Sequence, residues 1–126
     1  MKSELLKIAE AIVSQVVDGE QVEVVAVHGT ETDIRVYQGD IESFTAAESQ
    51  GVGIRVVQDG RQGMAYAGSL DVEVLNETLE EARDNASFGT PDEFQGIAEP
   101  DGVESVSLEL LDSSLADFAN EEKIAL

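Results

Sequence analysis

His28 is the single histidine of the 126-residue chain, and there is no cysteine. The remaining acid–base groups in quantity are the 27 aspartates and glutamates. A zinc site of the usual kind takes three or four ligands, several of them His or Cys, so this composition does not supply one. The Asp-x-Asp-x-Asp-Gly run of a calcium loop does not occur. Lacking cysteine, the chain also has no thiolate nucleophile and no disulfide. A lone histidine can act as a general base beside a carboxylate. At the end of a strand, where His28 falls, such a residue is more often structural or solvent-facing. Asp40 and Glu42 lie two apart and share one side of an extended strand, which is the proximity that acid–base work requires. Among 27 acidic side chains, pairs of this kind also arise by chance.

Gly51-Val52-Gly53 invites comparison with a phosphate loop. The third glycine of a dinucleotide fingerprint would fall at Val56, and strand-like residues follow where a helix is needed. The two glycines therefore read as a bulge or a close backbone approach within a sheet. Asn76-Glu77-Thr78 matches a glycosylation sequon, but it falls inside a predicted helix of a chain with no secretion signal. Arg55 and Arg61 are scarce cations flanking Asp59-Gly60. Two readings stand for them: local ion pairing on the sheet, or contact with a partner's carboxylate or a peptide terminus.

The elements that would position these residues follow from periodicity. Leu5, Ile8, Ala9, Ile12, Val13 and Val16 recur at helical spacing, which predicts a helix over 3–18 with Ser3 as N-cap and Asp18-Gly19 as stop. "QVEVVAVHG" predicts a strand with Glu23, Val25 and Val27 on one side and Val22, Val24, Ala26 and His28 on the other. "HGTETD" reads as a turn before a second strand, "IRVYQ". "QGD" at 38–40 reads as a tight turn with Gly39 at positive φ, leading to a third strand, "IESFTAAES". "GVGIRVVQ" is a fourth strand, Asp59-Gly60 a hairpin turn, and "RQGMAYAG" a fifth strand. The period then lengthens, and Leu75, Leu79, Ala82 and Ala86 form one stripe of a helix over 71–88. Ser69 or Asp71 is its cap, and Gly89 and Pro91 close it. "TPDEFQGIAEPDG" reads as an irregular connection and "VESVSLELL" as a further strand. Ser113 or Ser114 then caps a last helix, with Asp117 three residues after Ser114. That helix still runs at Leu126, as in the front of a longer protein.

These elements predict an α+β fold: a two-layer domain with a mostly antiparallel sheet of about five strands and two amphipathic helices on one face. The formal charge of −20 repels phosphate backbones and anionic lipid, which argues against direct nucleic-acid or membrane binding. It favours solubility, or a surface for a basic partner. The opening segment lacks the pattern of a signal peptide, and no run approaches the roughly 20 apolar residues of a membrane helix. A cytoplasmic location is expected.

The ordered set "GDIESF", "SQGVGIRVV" and "DGRQGMAYAGSLD", followed by a helix, resembles the amino-terminal domain of the TldD/PmbA proteins. Gly39, Asp40 and Glu42 match that family's first turn. Gly51, Gly53 and Arg55 match its Gly-x-Gly-x-Arg strand, and Gly63, Ala65 and Ala67 match the next strand loosely. The likeness covers residues 4 to 105. It implies an amino-terminal-like domain over 1–105, with 106–126 beginning the connection to a carboxy-terminal domain. The resemblance further implies a dimer, homo- or heteromeric, that handles peptide substrates. TldD-type members hold zinc through His-Glu-x-x-x-His in the other domain. That motif is absent here, so the expectation for this segment is no cofactor and no catalysis, with zinc confined to the parent assembly. "ASFGTPDEFQGIAEPDG" resembles the PmbA-type side, whose members typically lack the metal motif. The competing readings are a free-standing acidic protein-binding module and an independent enzyme built on His28 and carboxylates.

Overall fold

In a computed structural model the chain is described over residues 2–126. The element order is α1 (Lys2–Val13), β1 (Glu20–Tyr37), β2 (Asp40–Gln58), β3 (Arg61–Ala67), α2 (Val72–Ser87), a 3-10 turn (Ser113–Ala116) and α3 (Asn120–Ile124). The strands form one sheet in the order β1-β2-β3. The fold is α+β with an antiparallel sheet, as expected, but the described residues form three strands rather than about five.

The difference lies in two merged pairs. "HGTETD" is extended, so the two expected strands before Gln38 are one, β1; the two before Asp59 are likewise one, β2. Gly29, Gly51 and Gly53 carried the expected interruptions, yet none has positive φ, and Thr30 and Thr32 favour extension. Positive φ is concentrated at the real reversals. Gln38 (52°) and Gly39 (86°) form the first, and Asp59 (51°) and Gly60 (69°) the second. Left-handed geometry at both central residues marks two-residue turns whose twist suits a hairpin. The second turn sets the register, from Gln58 opposite Arg61 to Val52 opposite Ala67.

The chain divides into two compact bodies, one of 1–29 with 48–98 and one of 30–47 with 99–126. The first holds the core. Val52, Ile54 and Val56 of β2 and Ala65 of β3 pack beneath Ile12 of α1 and Leu75, Leu79, Ala82 and Ala86 of α2. Val22, Val24 and Ala26 of β1 join them, so both helices lie on one side of the sheet. This is the side that the alternation of β1 and the stripe of α2 predict.

Asp71 caps α2, its Oδ1 accepting from the Glu73 amide at 2.8 Å, while Ser69 Oγ accepts from the Asp71 amide. The tightest contact is between α2 and β3. A Cβ on Gly63 would stand 2.1 Å from both the Ala82 oxygen and the Ala86 nitrogen, so only glycine admits the helix at this depth. After α2 the chain returns over the second hairpin, where the Asp92 amide donates to the Gly60 carbonyl.

Further expectations need correction. Ser3 lies inside α1 rather than capping it, and the helix ends at Val13 instead of 18. Gln15 and Val16 then make bonds to residues three back, a tighter turn that leads to Gly19 at positive φ. "VESVSLELL" forms no strand and is exposed throughout. Among the described residues the sheet consists of β1, β2 and β3, so this segment joins no ladder. The expected helix from Ser113 or Ser114 is only the turn 113–116, capped by Asp112, whose Oδ1 accepts from the Ser114 amide and hydroxyl. Those bonds hold the Asp112 carboxyl below its ordinary value. Asp117 ends that turn, and α3 starts separately at Asn120.

Candidate functional site

The helices cover one side of the sheet in the first body; the other side is open. Strand alternation puts Val25 and Val27 of β1, Gly51, Gly53 and Arg55 of β2, and Met64 and Tyr66 of β3 on it. Val25 and Val27 are more than half exposed and Tyr66 is 70% exposed, an unusual density of uncovered apolar surface. Tyr66 pairs with Gly53 in the register. A Cβ on Gly53 would lie 3.2 Å from the Tyr66 ring, so the glycine lets the aromatic lie across the strand. Gly51 sits beside Val27 and the Ala67 carbonyl. Together these residues line an almost wholly apolar groove of about 280 Å³.

One end of this face is closed by polar groups. Arg55 donates from Nη2 to Glu23 Oε2 at 2.7 Å and from Nη1 to Gln62 Oε1 at 3.1 Å. Beyond them Val57 is buried, and Gln21 Oε1 accepts from the Ile97 amide. The segment after α2 thus reaches the open side and covers its end. Arg61 donates from Nη1 to the Gly89 carbonyl at 2.7 Å, fixing the residue that follows α2. In this structure both arginines are engaged in holding elements of their own domain.

The family-motif positions do not converge. Gly51, Gly53 and Arg55 share the open face, while Gly63 faces α2 on the opposite side. Gly39, Asp40 and Glu42 lie at the first hairpin turn, in the second body. There Glu42 lies 3.5 Å from Arg35, a pair exposed on both sides and of little energetic weight. His28 meets Glu48 through Nε2 at 2.8 Å. Among the described residues no group of three or more His, Cys, Asp or Glu gathers to hold a metal. The donor set of this chain does not fit a zinc site, since its one histidine has a single carboxylate partner.

One constellation has no local sequence signal. Glu20 is buried, and Arg83 grips it with both sides of its guanidinium while also reaching Glu80 Oε1 and the Gln15 carbonyl. The Arg83 hydrogen bond holds the Glu20 carboxyl below the usual carboxylate range against the opposing effect of burial, aided by the Arg83 charge and the Val17 amide. Arg83 in turn is held further above its ordinary value, chiefly by its hydrogen bond to Glu20. The partners lie 63 positions apart, so no motif could have joined them.

Comparison with known proteins gives a consistent result. Residues 22–86 match the family described as PmbA/TldA metallopeptidase domain 1. An uncharacterised protein of Methanocaldococcus jannaschii is 28% identical over 101 residues, 79% of this chain and 22% of that protein. Among solved structures, a candidate modulator of a DNA gyrase from Thermotoga maritima matches 99% of this chain and 27% of its own, at 22% identity and a TM-score of 0.70. TldE from Thermococcus kodakarensis matches 84% of this chain and 23% of its own, at 25% identity and a TM-score of 0.57. The chain spans about a quarter of the length of the relatives it matches.

Proposed function

Since this chain belongs to the PmbA/TldA metallopeptidase domain 1 family, we propose that it is the non-catalytic amino-terminal domain of a longer peptidase-type protein. Its role is to help assemble the dimer and to wall the channel through which peptide substrates pass, in the cytoplasm. Any zinc would be held by residues outside this chain.

The observation that carries this reading is the open, apolar side of the sheet. Val25, Val27 and Tyr66 stand uncovered over a floor of two glycines. Such a surface is built to be covered by protein rather than to cleave a bond. The character of residues 86–102 supports the PmbA-type side of the family for the complete protein.

The test is made on the full-length protein. Val25→Lys with Tyr66→Lys should shift its mass in solution from dimer to monomer, with the helical content unchanged. An unaltered mass would overturn the reading. A His-Glu-x-x-x-His motif in the downstream sequence would overturn the PmbA-type assignment alone.

A further inference from the structure

The chain that follows α2 is pinned along its length. The Phe88 and Gly89 amides donate to the Asn85 and Ala86 carbonyls. Arg61 donates to the Gly89 carbonyl, and the Asp92 amide donates to that of Gly60 at 2.8 Å. Asp92 Oδ1 accepts from the Phe94 amide at 2.9 Å, and Gln21 Oε1 accepts from the Ile97 amide. Gly89 lies so near β3 that a Cβ there would stand 2.9 Å from the Gln62 carbonyl oxygen. The backbone of 88–97 is thus a strap fixed to the second hairpin and to β1.

On this fixed strap two large apolar side chains face water: Phe88 and Phe94 are each 88% exposed. Neither lines the groove on the open side of the sheet. Aromatic rings on a backbone already held in place have the make-up of interface anchors. Burying the rings supplies energy, and the fixed backbone avoids the entropy cost of ordering. Asp84, one turn before Phe88, and Asp92 and Glu93, just before Phe94, are exposed as well. Among the described residues none of these three carboxylates takes part in an ion pair. The covering surface must therefore be apolar at its centre and basic at its rim.

A second copy of this chain does not offer such a surface. Arg35, Arg55 and Arg83 are each paired with a glutamate of their own chain, and Arg61 holds the Gly89 carbonyl. The rest of a longer polypeptide is the occupant that remains at hand. The chain spans about a quarter of the length of the relatives it matches. In a protein of that length a larger part is tethered to this one, at high effective concentration.

We propose that the strap 88–97 is the surface on which the carboxy-terminal part of the same polypeptide docks. Phe88 and Phe94 enter apolar pockets of that part, and lysine or arginine at the pocket rims faces Asp84, Asp92 and Glu93. The inference rests on the proposed function's longer protein and deepens it by naming the surface that joins its two parts.

The test uses the full-length protein. Hydroxyl-radical labelling read by mass spectrometry should oxidise Phe88 and Phe94 at least about threefold more slowly in the native protein than in urea, because a docked ring loses its solvent contact. Asp92→Lys with Glu93→Lys should raise both native rates, most at low salt, with the helical content unchanged. For the second readout, benzoylphenylalanine replaces Phe94, and heavy-isotope-labelled and unlabelled protein are refolded together and irradiated. The cross-links should reach residues beyond 126 and join peptides of one isotope only. Native rates equal to those in urea, rates unmoved by the charge reversal, cross-links of mixed isotope, or cross-links confined to 1–126 would each overturn the proposal. None of these outcomes bears on the mass of the full-length protein, so the assembly reading can stand without the strap. A coding sequence that stops at Leu126 would instead sink the longer-protein reading, and the docking with it.

Discussion

Arg83 clasps Glu20 in a two-point contact, Nε to Oε2 and Nη2 to Oε1, each 2.8 Å long. The Glu20 side chain is 1% exposed and that of Arg83 21%, so this is a buried pair rather than a surface one. It ties the carboxy-terminal half of α2 to the first residue of β1. A bidentate guanidinium–carboxylate pair of this kind is charge-assisted and directional.

Arg83→Ala leaves a buried carboxylate without its cation. The expected loss is roughly 3 kcal/mol of unfolding free energy, the range for breaking a buried pair from one side. Arg83→Lys should recover only part of it, since an ammonium cannot reproduce the fork. Urea unfolding followed by circular dichroism measures both.

The same pair sets a pH dependence. The folded-state pKa of Glu20 is depressed. Its contribution is therefore fully present above the unfolded carboxylate value of about 4.3 and is lost as pH falls through the folded value. The stability gap between wild type and Glu20→Gln should be widest near neutrality and should close on acidification below about pH 4. The comparison with Glu20→Gln separates this effect from the general relief of repulsion as other carboxylates protonate. A gap that stays constant with pH would contradict the assignment.

Gly63→Ala places a methyl group into the backbone of α2, 2.1 Å from two of its atoms. The helix must lift from β3, at a cost of about 3 kcal/mol or more. Gly68→Ala meets nothing within 4 Å and should change stability by less than about 0.5 kcal/mol. Thermal unfolding of the two variants side by side gives the contrast.

Gly39→Ala should cost about 1 kcal/mol, because alanine tolerates the left-handed region poorly. Gly60→Ala should cost more, since the added carbon also lies 2.9 Å from the Asp92 carbonyl oxygen. Amide exchange at the Asp92 N–H, which donates to Gly60, should rise in that variant.

The parts legible in the sequence were those encoded locally. Asp59-Gly60, Gln38-Gly39, the side alternation of Val22 to Val27, and the stripe Leu75–Leu79–Ala82–Ala86 each follow from neighbouring residues. Strand number was misread because Gly29, Gly51 and Gly53 look like breaks, whereas all three lie within strands and none has positive φ, and only Gly53, under the Tyr66 ring, makes a close approach. "VESVSLELL" has the composition of a strand but pairs with none of β1, β2 and β3, and propensity without pairing does not make a sheet. The Glu20–Arg83 pair was invisible because it joins residues distant in the chain. The open side of the sheet was half legible. The alternation placed Val25 and Val27 together, but nothing in it showed that no layer would cover them.

The pieces of the first body differ in how far apart in the chain they begin. β2, its hairpin turn, β3 and α2 are contiguous, whereas α1 and the start of β1 reach them only across the intervening 30–47. Loop-closure entropy favours contacts made over short separations. The hairpin with its helix should therefore form the folding nucleus, with the amino-terminal helix docking afterwards. Substitutions at Ile54 or Leu79 should slow refolding, and Ile12→Val should mainly hasten unfolding. A ribosome would meet the opposite order, releasing α1 well before its resting place exists.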